Sequence, residues 1–159
     1  MIELINFTDL TLEEKKMILS WRNNDKVKQW MYNTDDISIE NHLNFIESLK
    51  NTTNKLYFLV KENDIYLGVI DFTNISEKNC DFGLYANIDL KGVGVKLLDT
   101  ICDYTFNTLN IKYLNGEVFK ENIKAISLYR KFKFKFKEIN KKIINNKEVL
   151  YMELKNEDR

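Results

Sequence analysis

The sequence predicts one mixed α+β domain, and three observations carry that prediction. Strand-like runs of β-branched and aromatic residues occur together with amphipathic helical stretches along the 159 residues. Three strand candidates follow one another closely at 56–61, 65–74 and 79–86, spaced for hairpin pairing. No linker, internal repeat or low-complexity stretch divides the chain before its last few residues. The length suits a single domain with a substantial core.

The elements follow in order. Residues 2–7 read as a first strand. Thr11 ahead of Glu13 and Glu14 marks a helix start, and Met17, Ile18 and Trp21 give that helix one apolar face. It decays near Arg22-Asn23-Asn24-Asp25, and residues 26–36 read as irregular although they carry Trp30, Met31 and Tyr32. Ser38 caps a second helix, with Ile39, Leu43, Ile46 and Leu49 in helical period. Glu62-Asn63-Asp64 is a hairpin-sized polar turn between 56–61 and 65–74. After strand 79–86, a helix from Gly94 to Leu109 aligns Leu98, Ile101, Cys102, Thr105 and Leu109. A strand at 113–119, a helix at 122–132 and strands at 133–144 and 147–154 complete the chain. Asn145-Asn146 turns the last pair into a hairpin.

Composition narrows the function. Hydrophobic residues at 44% and aromatics at 13% fit an ordered globular chain. Positive and negative side chains balance at 24 each, so no global field favours nucleic acid or an anionic membrane. The alternation Arg130-Lys131-Phe132-Lys133-Phe134-Lys135-Phe136-Lys137 reads as a half-buried strand with phenylalanines inward, not as a nucleic-acid patch. No apolar run is long enough to span a bilayer, and Met1-Ile2-Glu3-Leu4 lacks the blocks of a signal peptide. A cytoplasmic address is expected. One histidine, His42, argues against His-rich metal chemistry. Cys80 and Cys102 have no metal or redox spacing and read as buried thiols.

Two motifs carry chemistry. Three of the five glycines fall in the window 81–98, which reads strand, Lys91-Gly92-Val93-Gly94-Val95-Lys96 loop, helix. Glycine there permits unusual φ angles and close approach. Backbone N–H groups and the helix dipole would converge on an anion, most often a phosphate or pyrophosphate. A dinucleotide fingerprint would need glycine at position 97, which is Leu, and no Walker lysine is present. The second motif is Asn122, Ala125, Ile126 and Tyr129, which share one helical face.

Together the two motifs resemble those of the GCN5-related N-acetyltransferase superfamily, with its [QR]-x-x-G-x-[GA] pyrophosphate loop and its N-x-x-A-x-x-x-Y helix. Lys91 and Lys96 depart from the loop pattern, and Lys133 replaces the glycine common before Phe134. The resemblance implies one domain over residues 1–159. Its centre would be a mixed, mostly antiparallel sheet of six to seven strands, flanked by about four helices. It implies acetyl-CoA as co-substrate and no metal. Leu84 and Tyr85 would pair with the pantetheine arm, while Lys91, Gly92, Val93, Gly94, Val95, Lys96, Asn122 and Lys131 would complete the donor site. Tyr129 would protonate the leaving thiolate. Glu117 is the leading base, directly or through water, and Asp71 the second. Asp71 shares strand parity with the apolar Ile65, Leu67 and Val69, so its carboxylate is either functional or paired.

The acceptor would be met by the N-terminal half: Arg22, Trp30, Tyr32 and His42, with Asp71 and Thr73 from the sheet. The runs Trp21-Arg22-Asn23, Trp30-Met31-Tyr32, His42-Leu43 and Phe45-Ile46 are similar to one branch of the superfamily. That branch acetylates the 4-amino group of a UDP-linked amino-sugar in pseudaminic acid synthesis. It implies a small-molecule partner, neither nucleic acid nor membrane, and room for a homodimer. Two alternatives stay open: a ribosomal-protein-type protein N-terminal acetyltransferase, and a non-catalytic module binding acyl-CoA or nucleic acid.

Overall fold

The computed structural model describes residues 1–159, with side chains described for all but 138–141. The strands are β1 (Ile2–Asn6), β2 (Leu56–Glu62), β3 (Ile65–Thr73), β4 (Asn79–Ala86), β5 (Tyr113–Phe119), β6 (Lys135–Ile144) and β7 (Lys147–Lys155). The helices are α1 (Leu12–Asn23), α2 (Asp25–Lys28), α3 (Ile39–Ser48), α4 (Gly94–Asp103) and α5 (Ile123–Lys131). One seven-stranded sheet runs in the order β1-β2-β3-β4-β5-β7-β6, and β4 with β5 is its parallel pair. Among the described residues no helix is long and apolar enough to cross a membrane.

Local chemistry sets most boundaries. Thr11 and Glu14 close a reciprocal capping box on α1, and the Ser38 hydroxyl accepts from Asn41 N at the start of α3. Asn63-Asp64 and Asn145-Asn146 all have positive φ, the geometry of two-residue hairpin turns. The stretch 26–36 is less irregular than its composition suggests, because the Asn24 side chain accepts from Lys26 N and starts α2. The expected helix to Leu109 stops at Asp103 and continues as a π turn over Tyr104–Thr108. That turn sets Tyr104 against the rings of Phe58 and Phe72.

Strand β6 starts at Lys135 rather than at 133 for a physical reason. Lys133 takes φ +71°, its N–H donates to Arg130 O, and Phe134 N–H donates to Tyr129 O. This is a Schellman ending of α5, with Phe134 and Tyr129 as its apolar pair. The run Arg130–Lys137 read as a strand is therefore helix end and cap as far as Phe134, yet its phenylalanines do face inward: Phe134 is buried, with Phe132 and Phe136 packed on the same core. The side chains of 138–141 in the expected strand lie outside the described residues.

The sheet separates two layers. On one side α4 and α5 pack through Leu97, Leu98, Ile101 and Ile126 onto Phe58, Ile70, Phe72 and Phe82. On the other, α1 and α3 bring Ile18, Trp21 and Ile46 onto Leu59 and Val69. A bulge in β3 skips Leu67 between the pairs Lys61–Tyr66 and Val60–Gly68. The alternation expected from Ile65 to Asp71 is therefore broken, and Leu67 packs opposite to Val69. Gly68 at this bulge sits so close to β4 and α4 that a Cβ would fall 2.5 Å from Tyr85 O.

Parallel pairing between β4 and β5 covers residues 79–81 against 113–115 and stops there. Beyond it β4 continues against β3, and β5 against β7. The facing edges of residues 82–86 and 116–119 part, leaving main-chain groups free for a ligand in the middle of the sheet.

Candidate active site

A cleft of about 1720 Å³ opens at this parting. Its donor end is built by local sequence. Gly92 takes φ +75°, and a Cβ there would meet nothing within 4 Å. Gly94 does not need a positive φ. Its constraint is space, since a Cβ would sit 3.2 Å from Leu128 on α5. Among the described residues no side chain caps α4, so the N–H groups of its first turn have no side-chain partner there. These donors and the helix dipole fit a pyrophosphate. Leu84, Tyr85, Lys91, Gly92 and Asn122 line the cleft, whereas Val93, Gly94, Val95, Lys96 and Lys131 are not among its lining residues. The Lys96 ammonium is turned onto Glu62 Oε1 at 2.6 Å, so only its main chain is free to serve the loop.

Tyr129 stands where the strands part. Its ring packs edge-on against Phe82 and Phe134, and it is 8% exposed. Burial pushes the phenol up to about 12, with the Asp71 charge adding to the shift. It therefore stays protonated through the neutral range and can donate. Asn122, which opens α5, spends its side-chain oxygen on Ala125 N. This accounts for two positions of the Asn122–Ala125–Tyr129 stripe as a helix cap that aims the phenol.

A model of the acetyltransferase (GNAT) domain matches residues 8–153. The chain belongs to this acetyltransferase family. It is 47% identical over 134 residues to Acetyltransferase PseH of Campylobacter jejuni, covering 84% of this chain and 85% of that one. The crystal structure of C. jejuni N-acetyltransferase PseH in complex with acetyl coenzyme A superposes with TM-score 0.81 at 37% identity, covering 98% and 99% of the two chains. Spermidine N-acetyltransferase from Vibrio cholerae, in complex with CoA and spermine, has TM-score 0.87 at 18% identity, covering 99% and 96%, a likeness of fold. This acetyltransferase uses acetyl-CoA as its co-substrate.

The end of the cleft away from Gly92, where the sequence places the acceptor, is assembled from distant segments. Arg22, 8% exposed, donates to Asn33 O at 2.7 Å and Asp35 O at 3.4 Å. Asn23 exchanges two hydrogen bonds with the main chain of Ile37. The Trp21-Arg22-Asn23 run thus plants Trp21 in the core and fastens the strap that carries Trp30 and Tyr32. Arg22 also lines the cleft, with guanidinium donors beyond those it spends on the strap. His42 Nε2 lies 2.8 Å from Lys15 O, so that nitrogen carries the proton and Nδ1 is left as an acceptor. Burial lowers the ring's affinity for a second proton. A neutral acceptor of this kind suits an N–H or O–H of a ligand, not a phosphate.

The strap reaches across the cleft to β5 and the β6–β7 hairpin on the other half of the sheet. Tyr32 OH donates to Glu117 Oε1 at 2.6 Å, and Asn145 Nδ2 donates to Tyr32 O at 2.9 Å. Lys142 Nζ bridges both Glu117 oxygens at 3.0 and 3.2 Å and lies over the Tyr32 ring. Lys147 sits 5.2 Å from the centre of the Trp30 ring. Asp71 and Thr73 line the same cleft from β3. Gly83 lies opposite Asp71 on β4, and a Cβ there would sit 2.5 Å from Asp71 Oδ2. The missing side chain makes room for the carboxylate.

Sequence reasoning did not single out Tyr57 or Lys142. Tyr57 pairs with Asp71 across the β2–β3 hairpin only because of the bulge at Leu67; the two-residue turn alone would set it opposite Ile70. Lys142 carried no signal, since its partner lies 25 residues away on another strand. Neither cysteine lines the cleft. Burial raises the thiols of Cys80 and Cys102 to about 11 and about 12, which leaves both without thiolate character.

Proposed function

We propose that this acetyltransferase moves the acetyl group of acetyl-CoA to the 4-amino group of a UDP-linked amino-deoxy sugar, in pseudaminic acid biosynthesis. The observation that carries this reading is the charge of the acceptor end. Arg22 is buried there among aromatic rings with no acidic partner among the described residues, and Lys26 and Lys142 line the same region. Of the acids lining the cleft, Glu117 is paired with Lys142 and Glu153 with Lys137, which leaves Asp71 and Asp81 of the sheet against Arg22, Lys26 and Lys142. A polyamine would meet cations there, while a nucleotide diphosphate would meet donors and stacking faces. The similarity to the PseH acetyltransferases supports the same branch.

Acetyl-CoA would supply an acetyl thioester. Gly92 and the first turn of α4 would hold its pyrophosphate, and the free edge of residues 82–86 would pair with its pantetheine arm as an added strand. A main-chain N–H of that edge would steady the developing oxyanion. Tyr129 Oη would give its proton to the departing sulfur, so no cysteine nucleophile is required. Trp30 and Tyr32 would stack on base or sugar, Arg22 would meet phosphate or uracil, and His42 Nδ1 would accept from uracil N–H or a hydroxyl.

An acceptor panel tests the reading by following thiol release from acetyl-CoA. UDP-4-amino-sugars should be turned over, with spermidine and N-terminal peptides inactive. Turnover of peptides in place of the amino-sugar would mean a protein N-terminal acetyltransferase. Binding of acetyl-CoA with no turnover of any amine would mean a non-catalytic module.

A further inference from the structure

Two carboxylates reach the acceptor side of the cleft, and their surroundings differ in kind. Glu117 accepts from the Tyr32 hydroxyl and from Lys142, which contacts both of its oxygens. An ammonium at 3.0 Å and a phenol at 2.6 Å occupy its oxygens and tie it to β6 and to the strap. Asp71 receives no hydrogen bond and no ion pair among the described residues. The charged and titratable groups that face it are Tyr57 from β2, Asp81 and Tyr85 from β4, and Tyr129 from α5, with Arg22 of α1 beyond Tyr85.

The sheet gives these groups sides. Val69 and Tyr85 pack on the layer of α1 and α3. Asp71 shares the face of Val69, so its carboxylate lies on the acceptor side, over the bare Cα of Gly83. Tyr129 belongs to the opposite layer. The free edge of β4 runs between the two. A carboxylate on one face and a phenol on the other are placed to act on the two ends of one acyl transfer.

We propose that Asp71 is the base that takes the proton of the attacking amine, and that Glu117 is a positioning residue that holds Tyr32 and the strap. This rests on the reading of the protein as an amino-sugar acetyltransferase. The acceptor's ammonium first loses a proton to solvent. As the N–C bond forms and the C–S bond breaks, a nitrogen proton passes to the Asp71 carboxylate. The C–S electron pair leaves on sulfur, which takes the Tyr129 proton. The proton held by Asp71 then restores the phenol through solvent, and the cycle releases one proton in all. Burial, with the Asp81 charge adding to it, raises the Asp71 carboxyl to about 7, where a base works near neutral pH.

The test compares Asp71→Asn with Glu117→Gln in pH profiles of kcat/KM, using whichever amine the acceptor panel shows to be turned over. Asp71→Asn should lower kcat roughly 100-fold and remove the inflection near pH 7, with acetyl-CoA affinity kept. Glu117→Gln should raise the acceptor KM and keep the inflection. An inflection that survives Asp71→Asn, or vanishes in Glu117→Gln alone, overturns the assignment. A carboxyl 13C NMR titration of the wild-type protein without ligand gives a readout independent of activity and of how the variants fold. Asp71 should titrate near 7, and titration near 4 overturns the proposal. If UDP-amino-sugars fail while another amine works, the acceptor reading falls and the test of Asp71 stands.

Discussion

The Tyr32 hydroxyl donates to Glu117 Oε1 at 2.6 Å across 85 positions of sequence. That bond joins the strap after α2 to β5 at the end of the cleft proposed to take the acceptor. Burial and the Glu117 charge both push the phenol's ionisation far above its ordinary value, so it remains a donor at any working pH.

Tyr32→Phe should therefore loosen the strap without touching the donor site. A hydrogen bond to a charged group contributes about 1.5–3 kcal/mol, so the acceptor KM should rise roughly 10-fold or more. Acetyl-CoA affinity, measured by calorimetry, should stay unchanged. An equal loss for both ligands would show that the strap serves the whole cleft.

Tyr129→Phe should lower kcat roughly 100-fold while leaving acetyl-CoA binding intact. No hydrogen bond from the phenol to described residues is lost, so the melting temperature should barely move. With the phenol at about 12, the alkaline limb of the wild-type profile below pH 10 should not belong to Tyr129. Equal losses in turnover and cofactor affinity would remove the acid role.

Lys133→Gly should stabilise the protein. Lys133 holds φ +71° at the end of α5, a conformation that costs a side-chain-bearing residue about 1–2 kcal/mol. Glycine removes that strain and returns part of the gain as chain entropy, leaving about 0.5–1 kcal/mol. Thermal unfolding should shift upward by roughly 1–4 °C. Lys133→Ala should show no gain.

His42 should make the fold sensitive to acid. Its folded-state affinity for a proton is depressed by burial, so its contribution is present above the unfolded value near 6.5 and lost as pH falls through the folded one. Melting temperatures at pH 7.5 and 5.5 should differ more for the wild type than for His42→Asn. Equal differences would mean that the ring takes up its second proton without cost.

The donor half was legible because its code is local. Gly92, the uncapped start of α4 and the Asn122–Tyr129 spacing define a backbone cradle and a helix face within 18 and 8 residues. The hairpins were legible for the same reason, from Asn63-Asp64 and Asn145-Asn146. The bulge at Leu67 was not, since it depends on β2 and β4 meeting β3 at different registers. Nor was the work of Arg22 and Asn23 in fastening the 33–37 segment, a contact that forms only once α1 is packed.

By itself the sequence determined the α+β class, the family and the ligand at the donor end, through periodicity, turn residues and motif spacing. Tertiary structure decided the acceptor end. It paired Glu117 with Lys142 and Tyr32, gave His42 one fixed tautomer, and left Asp71 half-buried over Gly83 with no hydrogen-bond partner among the described residues. Local spacing specifies backbone geometry and helix faces. The protonation of a carboxylate depends on burial and on charges that arrive from distant strands, which only the packed chain brings together.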